Sequence, residues 1–134
     1  LLHIPGAPLT QPGIVAGTPE YMSPEGVRGE RLLDIRHDLY NLGVIIYKML
    51  AHVLPLVGSN AMETMVKHLV DRPRPIDNIP PVLQKIIIDL LLAKKRADRI
   101  QDAHTARRVF KTCFDTLCDD SRLAQHMGPA YTSL

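Results

Sequence analysis

The sequence predicts a mainly α-helical fold, in which an extended first segment is followed by a helical bundle around one buried central helix. Apolar residues recur at helical spacing in four stretches, proline and glycine fall between the stretches, and no stretch alternates as a half-buried strand would. The chain has 134 residues, of which 46% are hydrophobic and 22% are charged, so it can bury one core of ordinary size.

Four helices are expected, at residues 36–51, 61–70, 82–93 and 103–117, the last with Asp102 as its N-cap. The helix at 36–51 is apolar nearly all round, which places it at the centre of the domain. The side chains predicted to point inward are, helix by helix, Leu39, Leu42, Ile46, Met49 and Leu50; Met62, Met65, Val66 and Leu69; Ile86, Ile87, Leu90 and Leu91; and Ala106, Val109, Phe110 and Phe114.

Composition and charge argue against several classes of protein. The net charge is +2 and the basic residues are scattered apart from a short cluster at 94–99, so nothing demands a nucleic acid partner. The longest uncharged helical stretch, 39–47, is far below the ~20 residues that span a bilayer. The six histidines show no metal-ligand spacing, and no metal is expected on this chain. Cys113 and Cys118 lie five apart on different helical faces, which indicates free thiols and a cytoplasmic location.

Four motifs stand in a recognisable order. Residues 17–25 read Gly-Thr-Pro-Glu-Tyr-Met-Ser-Pro-Glu, residues 36–43 read Arg-His-Asp-Leu-Tyr-Asn-Leu-Gly, residues 52–58 read His-Val-Leu-Pro-Leu-Val-Gly, and residues 92–99 read Leu-Ala-Lys-Lys-Arg-Ala-Asp-Arg. Together they resemble the C-terminal lobe of serine/threonine protein kinases, from the end of the activation segment onwards, with a leaning towards the bacterial branch. The departures are Ser for Ala in the A-P-E motif, Asn41 for Ser, Leu56 for Phe, and Lys95 and Arg96 for Asp-Pro.

The resemblance implies a role for each candidate site residue. Gly17, Thr18, Pro19 and Tyr21 would shape the surface beside the substrate's phosphoacceptor, and the Thr18 hydroxyl would contact the catalytic Asp and Lys. Glu25 and Arg99 would form a buried ion pair, where the alternative is two solvated charges.

Asp38 would accept backbone N–H bonds from the catalytic loop, or would simply be a charge favoured by the helix dipole. Thr10 is a phosphorylation candidate or an unmodified loop threonine.

The implied parent is a serine/threonine protein kinase that uses Mg²⁺ and ATP to phosphorylate proteins or peptides on Ser or Thr. No G-x-G-x-x-G, V-A-I-K, H-R-D or D-F-G motif occurs in the chain, so it should hold no cofactor, should be inactive alone and would need the missing kinase N-lobe portion. The first residue is Leu, which suggests a start inside a larger protein. The expected division is 1–25 for the activation segment and docking loop, 26–118 for the helical C-lobe, and 119–134 for a tail.

Two alternatives belong to other classes. A kinase-derived, non-catalytic interaction module would use the groove at residues 55–75 to bind a partner. A hydrolase built from Ser23, His37 and Asp38 is disfavoured, since no G-x-S-x-G nucleophile elbow exposes the serine.

Overall fold

The computed structural model describes residues 17–119. Within this range the chain is helical and contains no strand, as the sequence predicts. We number the helices α1 (Pro24–Val27), α2 (Ile35–Ala51), α3 (Ala61–Val70), α4 (Pro81–Lys85, continued by a π-helical turn at Ile86–Leu91) and α5 (Ala103–Asp119). Single 3₁₀ turns lie at Pro19–Tyr21 and Arg96–Asp98.

Helix α2 is the central helix, but its buried face differs from the predicted one. Its fully buried side chains include Tyr40, Val44 and Tyr47, which pack in one cluster with Ile87 and Leu92. The expected inward positions Leu42, Met49 and Leu50 are exposed, Met49 by 69%. Because this helix is apolar on several faces, its sequence could not show which face the other helices would cover.

The ends of α2 are well defined. Asp34 caps the N-terminus, its carboxylate accepting a 2.9 Å hydrogen bond from the Arg36 N–H. His52 ends the helix in the left-handed conformation, with φ of 60°. Glycine is the usual residue at such a position, because it has no Cβ to clash with the backbone.

Helix α3 has the predicted bounds and a different inner face. Thr64 and His68 are buried, whereas Met62 and Val66 are exposed, Met62 by 67%. The buried Thr64 hydroxyl is satisfied locally, since it donates to the carbonyl of Asn60 and accepts from the Gly58 N–H. Polar side chains with such partners can occupy core positions that hydrophobic spacing would assign to methionine.

The helix predicted at 82–93 is regular only over its first turn. From Ile86 it widens into a π turn, closed by a 3.0 Å hydrogen bond from the Leu92 N–H to the Ile87 carbonyl. Ile86, Ile87 and Leu91 are buried as predicted. This turn packs closely on α2, where a Cβ added to Gly43 would come within 2.8 Å of the Leu91 Cβ.

Helix α5 begins at its predicted cap and packs mainly through its first half. The Asp102 carboxylate accepts a 2.7 Å hydrogen bond from the Thr105 N–H. Ala106 is buried as expected, but Cys113 takes the buried position predicted for Phe114, which is 58% exposed. Cys113 and Cys118 are both free thiols. No helix in the described range is long and apolar enough to cross a membrane.

Candidate functional site

The segment 17–21 lies against α3 and presents the predicted substrate residues at the surface. Gly17 and Thr18 are exposed, and Pro19 and Tyr21 are half-buried. Gly17 has φ of 136°, a conformation that favours glycine. Thr18 begins the 3₁₀ turn, its carbonyl accepting from the Tyr21 N–H at 3.0 Å, while its hydroxyl makes no capping bond. The Thr18 hydroxyl is therefore available to another group.

Tyr21 is held from the other side by α2. The Lys48 ammonium donates a 3.2 Å hydrogen bond to the Tyr21 hydroxyl and lies 5.9 Å from the centre of its ring. Met22 and the three residues that follow it are buried. The exposed segment is thus anchored at its C-terminal end.

The anchor is a buried ion pair between Glu25 and Arg99. The two nitrogens Nη1 and Nη2 of Arg99 lie 2.6 and 2.8 Å from Oε1 and Oε2 of Glu25, a bidentate geometry. The side chains are 0% and 1% exposed for Arg99 and Glu25 respectively. Burial alone would raise the pKa of the Glu25 carboxyl, but the Arg99 hydrogen bonds, a backbone hydrogen bond and the charge of Arg99 together hold that pKa below its usual value.

Arg99 also binds three backbone carbonyls. It donates to the carbonyls of Ala93, Lys94 and Arg36 at 2.9, 3.3 and 2.7 Å. All five N–H groups of the guanidinium are therefore used, and its carbon lies 5.2 Å from the centre of the Tyr40 ring. One side chain thus ties α2, the turn at 93–98 and the end of the segment 17–25 together.

Asp38 is exposed in the first turn of α2, and its side chain makes no hydrogen bond within residues 17–119. The cap of that helix is Asp34, which the sequence analysis did not identify. Hydrogen bonds from the Arg36 side chain and backbone lower the pKa of Asp34 to about 2. Thr10 lies outside the described residues.

Ser23, His37 and Asn41 form a second polar group, beside the Glu25 and Arg99 pair, and the sequence did not predict that these three side chains lie together. The Ser23 Oγ is fully buried and lies 2.6 Å from the His37 Nδ1, and the His37 Nε2 lies 3.3 Å from the Asn41 Nδ2. A hydrolase would need an accessible serine and a carboxylate on the histidine. Neither condition is met, because Ser23 is buried and Asp38 makes no hydrogen bond to His37.

A third polar group lies deeper, between α2 and α3. The Tyr40 hydroxyl is 2.8 Å from the Nδ1 of the fully buried His68, and the Lys94 ammonium lies 3.5 Å from the same hydroxyl. Burial, together with the charge of Lys94, lowers the pKa of His68 to about 4. Burial lowers the pKa of Lys94 to about 8. Apolar spacing gives no signal for such a buried histidine.

The described residues do not fit a site for Mg²⁺ and ATP. Residues 17–119 contain no group of three or more His, Cys, Asp or Glu side chains that could hold a metal ion. Asp38 stands alone at the surface, and no glycine-rich phosphate loop is present.

A groove of about 600 Å³ lies between the loop that precedes α3 and the segment that follows it. Its wall is partly apolar and partly basic, and Arg72 forms a 2.6 Å ion pair with Asp89 at one end. The lining residues are Tyr47, Val53, Leu54, Pro55, Leu56, Val57, Lys67, Val70, Asp71, Arg72 and Arg74. Eight of these eleven lining residues fall within the predicted range 55–75.

Comparison with known proteins finds kinases. The chain is 43% identical over 100 residues to the serine/threonine-protein kinase pkn3 of Myxococcus xanthus, covering 70% of this chain and 18% of that protein. It is 37% identical over 101 residues to pkn2 of the same organism, covering 72% of this chain and 12% of pkn2. It is 35% identical over 104 residues to PknL of Mycobacterium tuberculosis, covering 75% of this chain and 26% of PknL.

The matched region is thus only a small part of each relative, and no protein-family model matches the chain. The chain carries four kinase-like motifs, and over the matched residues it is 35–43% identical to these serine/threonine kinases. The segment, the central helix and the Glu25 and Arg99 motifs all fall within one helical fold. The chain is therefore a relative of the serine/threonine protein kinases, equivalent to a helical, C-lobe part of them.

Proposed function

We propose that this chain acts as the C-terminal part of a serine/threonine protein kinase, where it supplies the end of the activation segment and the surface on which a protein or peptide substrate docks. The whole kinase would transfer the γ-phosphoryl group of ATP, with Mg²⁺, to a Ser or Thr hydroxyl. In this proposal residues 1–25 form the activation segment and docking loop, 26–118 the helical lobe, and 119–134 a tail.

The observation that carries the proposal is the anchoring of the segment 17–25. The bidentate, fully buried contact between Glu25 and Arg99 holds one end of the segment, while Gly17 and Thr18 remain exposed. A substrate loop needs this combination, because reacting groups must be held in place and still be reachable. In the proposal the Thr18 hydroxyl contacts the catalytic Asp and Lys of the rest of the kinase, and Asp38 accepts N–H bonds from its catalytic loop.

An exposed apolar stripe on α2 supports the proposal that this chain has a partner. In the proposal the partner is the kinase N-lobe portion together with the catalytic loop. Ile35, Leu42, Ile45 and Met49 lie on one face of the helix and are each at least 38% exposed. A contiguous apolar face on a central helix normally packs against another part of the protein. We propose that the remainder of the kinase covers it.

Because Cys113 and Cys118 are free, we place the protein in the cytoplasm.

Two experiments test the function. The first joins this chain to the corresponding upstream part of the kinase pkn3 and measures transfer of labelled phosphate to a Ser or Thr peptide. We expect transfer by the joined protein and none by the chain alone. A joined protein that folds and binds ATP but transfers no phosphate would contradict the proposal.

The second experiment adds Mg²⁺ and ATP at millimolar concentration to the chain alone and follows thermal unfolding. A ligand at a hundred times its Kd would stabilise a protein by about 2.7 kcal/mol, so binding would be visible as a raised midpoint. We expect no shift. A saturable shift would show that the chain holds nucleotide by itself, which the proposal does not allow.

The groove beside α3 favours one other function, a kinase-derived protein-interaction module without catalysis. Its wall combines exposed valines with the basic side chains of Lys67, Arg72 and Arg74, which suits a partner segment that is apolar and acidic. A start codon near Leu1 in the gene would favour this module, whereas upstream H-R-D and D-F-G motifs would favour the kinase.

A further inference from the structure

Ser23 and Asn41, two of the departures from the kinase motifs, lie on opposite sides of one imidazole ring. The Ser23 Oγ is 2.6 Å from the Nδ1 of His37, and the Asn41 amide is 3.3 Å from its Nε2. The ring also packs on α1, where a Cβ added to Gly26 would come within 3.3 Å of both the His37 Cε1 and the Ser23 Oγ. Glycine at this position leaves room for the ring.

The partners allow one consistent direction for the hydrogen bonds. The Ser23 Oγ accepts from the Gly26 N–H at 3.1 Å as the cap of α1, and its own hydrogen can point at the His37 Nδ1. A neutral ring that accepts at Nδ1 carries its hydrogen on Nε2. The group facing Nε2 must then be an acceptor.

Asn41 meets that requirement after rotation of its amide by 180°, which exchanges positions of equal shape. As placed, the Asn41 Oδ1 is buried and has no hydrogen-bond partner within residues 17–119. A buried acceptor without a partner destabilises the fold. Rotation brings Oδ1 to the Nε2–H of His37, where both atoms are satisfied, and moves the Nδ2 group to the position that Oδ1 held. The chain of bonds then runs one way, from Ser23 to His37 to Asn41.

We propose that His37 is a positioning residue, which fastens the end of the segment 17–25 to α2 through this one-way chain of hydrogen bonds. Its effect on phosphorylation rests on the function proposed above, whereas its effect on the segment does not. The Glu25 and Arg99 pair holds the segment to the turn at 93–98, and His37 holds it, two residues earlier, to the central helix. Together with the contact of Lys48 with Tyr21, these attachments hold the segment at three of its residues, and His37 supplies the one at Ser23.

The first test uses the unaltered chain with ¹⁵N-labelled histidine, and reads the tautomer of His37 by NMR at pH 8. The His37 signals are assigned by their loss in His37→Asn. We expect hydrogen on Nε2 and a bare Nδ1. Hydrogen on Nδ1 would overturn the proposed direction and with it the chain of bonds to Asn41.

The second test measures amide hydrogen exchange in His37→Ala, with His104→Ala as the matched control, because His104 is an exposed residue near the start of α5. The reporting amides are those of Tyr21, Met22, Gly26 and Val27, each of which is hydrogen-bonded within residues 18–27. We expect exchange about fivefold faster than in the control, as the loss of one net hydrogen bond implies. Equal exchange in the two variants would overturn the proposal.

The third test uses the kinase joined as above. We expect His37→Ala to lower kcat/KM for the peptide about fivefold, since the loosened segment both binds substrate and carries Thr18, which positions the reacting groups. An active kinase with unchanged kcat/KM would overturn the positioning role. If the joined parent is itself inactive, the proposed function fails, and the tautomer and exchange measurements still decide whether His37 fastens the segment.

Discussion

The guanidinium of Arg99 and the carboxylate of Glu25 form two parallel hydrogen bonds in the interior, across 74 residues of sequence. Neither side chain is more than 1% exposed. Because the remaining N–H groups of Arg99 bind the carbonyls of Ala93, Lys94 and Arg36, no donor is left unpaired. Burial of a charge is costly unless it is paired in this way, so the two side chains depend on each other.

We therefore predict a strong coupling between the two positions. Glu25→Ala and Arg99→Ala should each lower the free energy of unfolding by about 3–5 kcal/mol, because each leaves the other charge buried and unpaired. The double variant should cost clearly less than the sum. Urea unfolding of the four proteins measures this, and additive losses would contradict a direct pair.

Arg99→Lys tests whether the shape of the guanidinium matters in addition to its charge. Lysine keeps the charge but has three donors and no planar fork, so it cannot bind the carboxylate and three carbonyls together. The loss should approach that of Arg99→Ala. The matched change Arg96→Lys, at a half-exposed ion pair with Glu30, should cost no more than about 1 kcal/mol.

His52 holds a left-handed backbone conformation, which glycine adopts most readily. A residue with a Cβ pays about 1–2 kcal/mol for this conformation, and part of that is offset because glycine has more freedom in the unfolded chain. His52→Gly should therefore stabilise the fold by about 0.5–1 kcal/mol, seen as a higher urea midpoint. His52→Ala keeps the Cβ and should bring no gain. Equal midpoints for the two variants would show that the conformation costs nothing here.

Helix positions were predictable because proline, glycine and capping residues mark the ends. Asp102 starts α5 as expected, and Pro81 starts α4. The inner faces were harder to predict. Leu42 and Met49 are exposed although they follow the helical period, and His68 is buried although it is polar. Burial depends on what packs against each face, and local sequence does not contain that information.

The candidate site also has one part that the sequence predicted and another that it did not. Glu25 and Arg99 could be paired from the kinase motifs alone, since each motif carries its own recognisable residue. The contact of Ser23 with His37 had no such signal, because both positions depart from or lie outside the motif pattern. The π turn at 86–91 was also unpredictable, since apolar periodicity in a short helix does not distinguish it from an α-helix.

Buried His68 should make the stability of the fold depend on pH. Its pKa is lowered to about 4 from its usual 6.5, so the unfolded chain binds a proton in this range that the folded chain does not. The contribution of His68 should therefore be constant above pH 6.5, and stability should fall as the pH decreases from about 6.5 to about 4. Charges that face the ring come from Lys94 and Glu20, and Tyr40 supplies the neutral hydroxyl.

The measurement is urea unfolding at several pH values between 4.5 and 7.5. His68→Gln cannot be protonated, so its stability should change less over this interval, whereas exposed His104→Gln should follow the parent. The pKa of the Glu25 carboxyl is lowered from its usual 4.5, so in the folded chain this group loses its charge only below pH 4.5. Its protonation therefore does not mimic the effect of His68. The same slope in parent and His68→Gln would rule His68 out as the source.

The most informative prediction about function concerns Thr18. Its side chain is exposed and makes no capping bond, so Thr18→Ala should change the free energy of unfolding by less than about 0.5 kcal/mol. In the kinase joined to the upstream part of pkn3, the same change should lower the rate of peptide phosphorylation about 10²-fold, because a hydroxyl that contacts the catalytic Asp and Lys positions the reacting groups. Thr18→Ser keeps the hydroxyl and should restore most of the rate, while Thr18→Val keeps the shape and should not. Melting curves and turnover on a Ser or Thr peptide are measured on the same preparations, which separates folding from chemistry. If Thr18→Ala phosphorylates as fast as the parent, the segment 17–25 is not a substrate loop, and the groove beside α3 becomes the surface to mutate next.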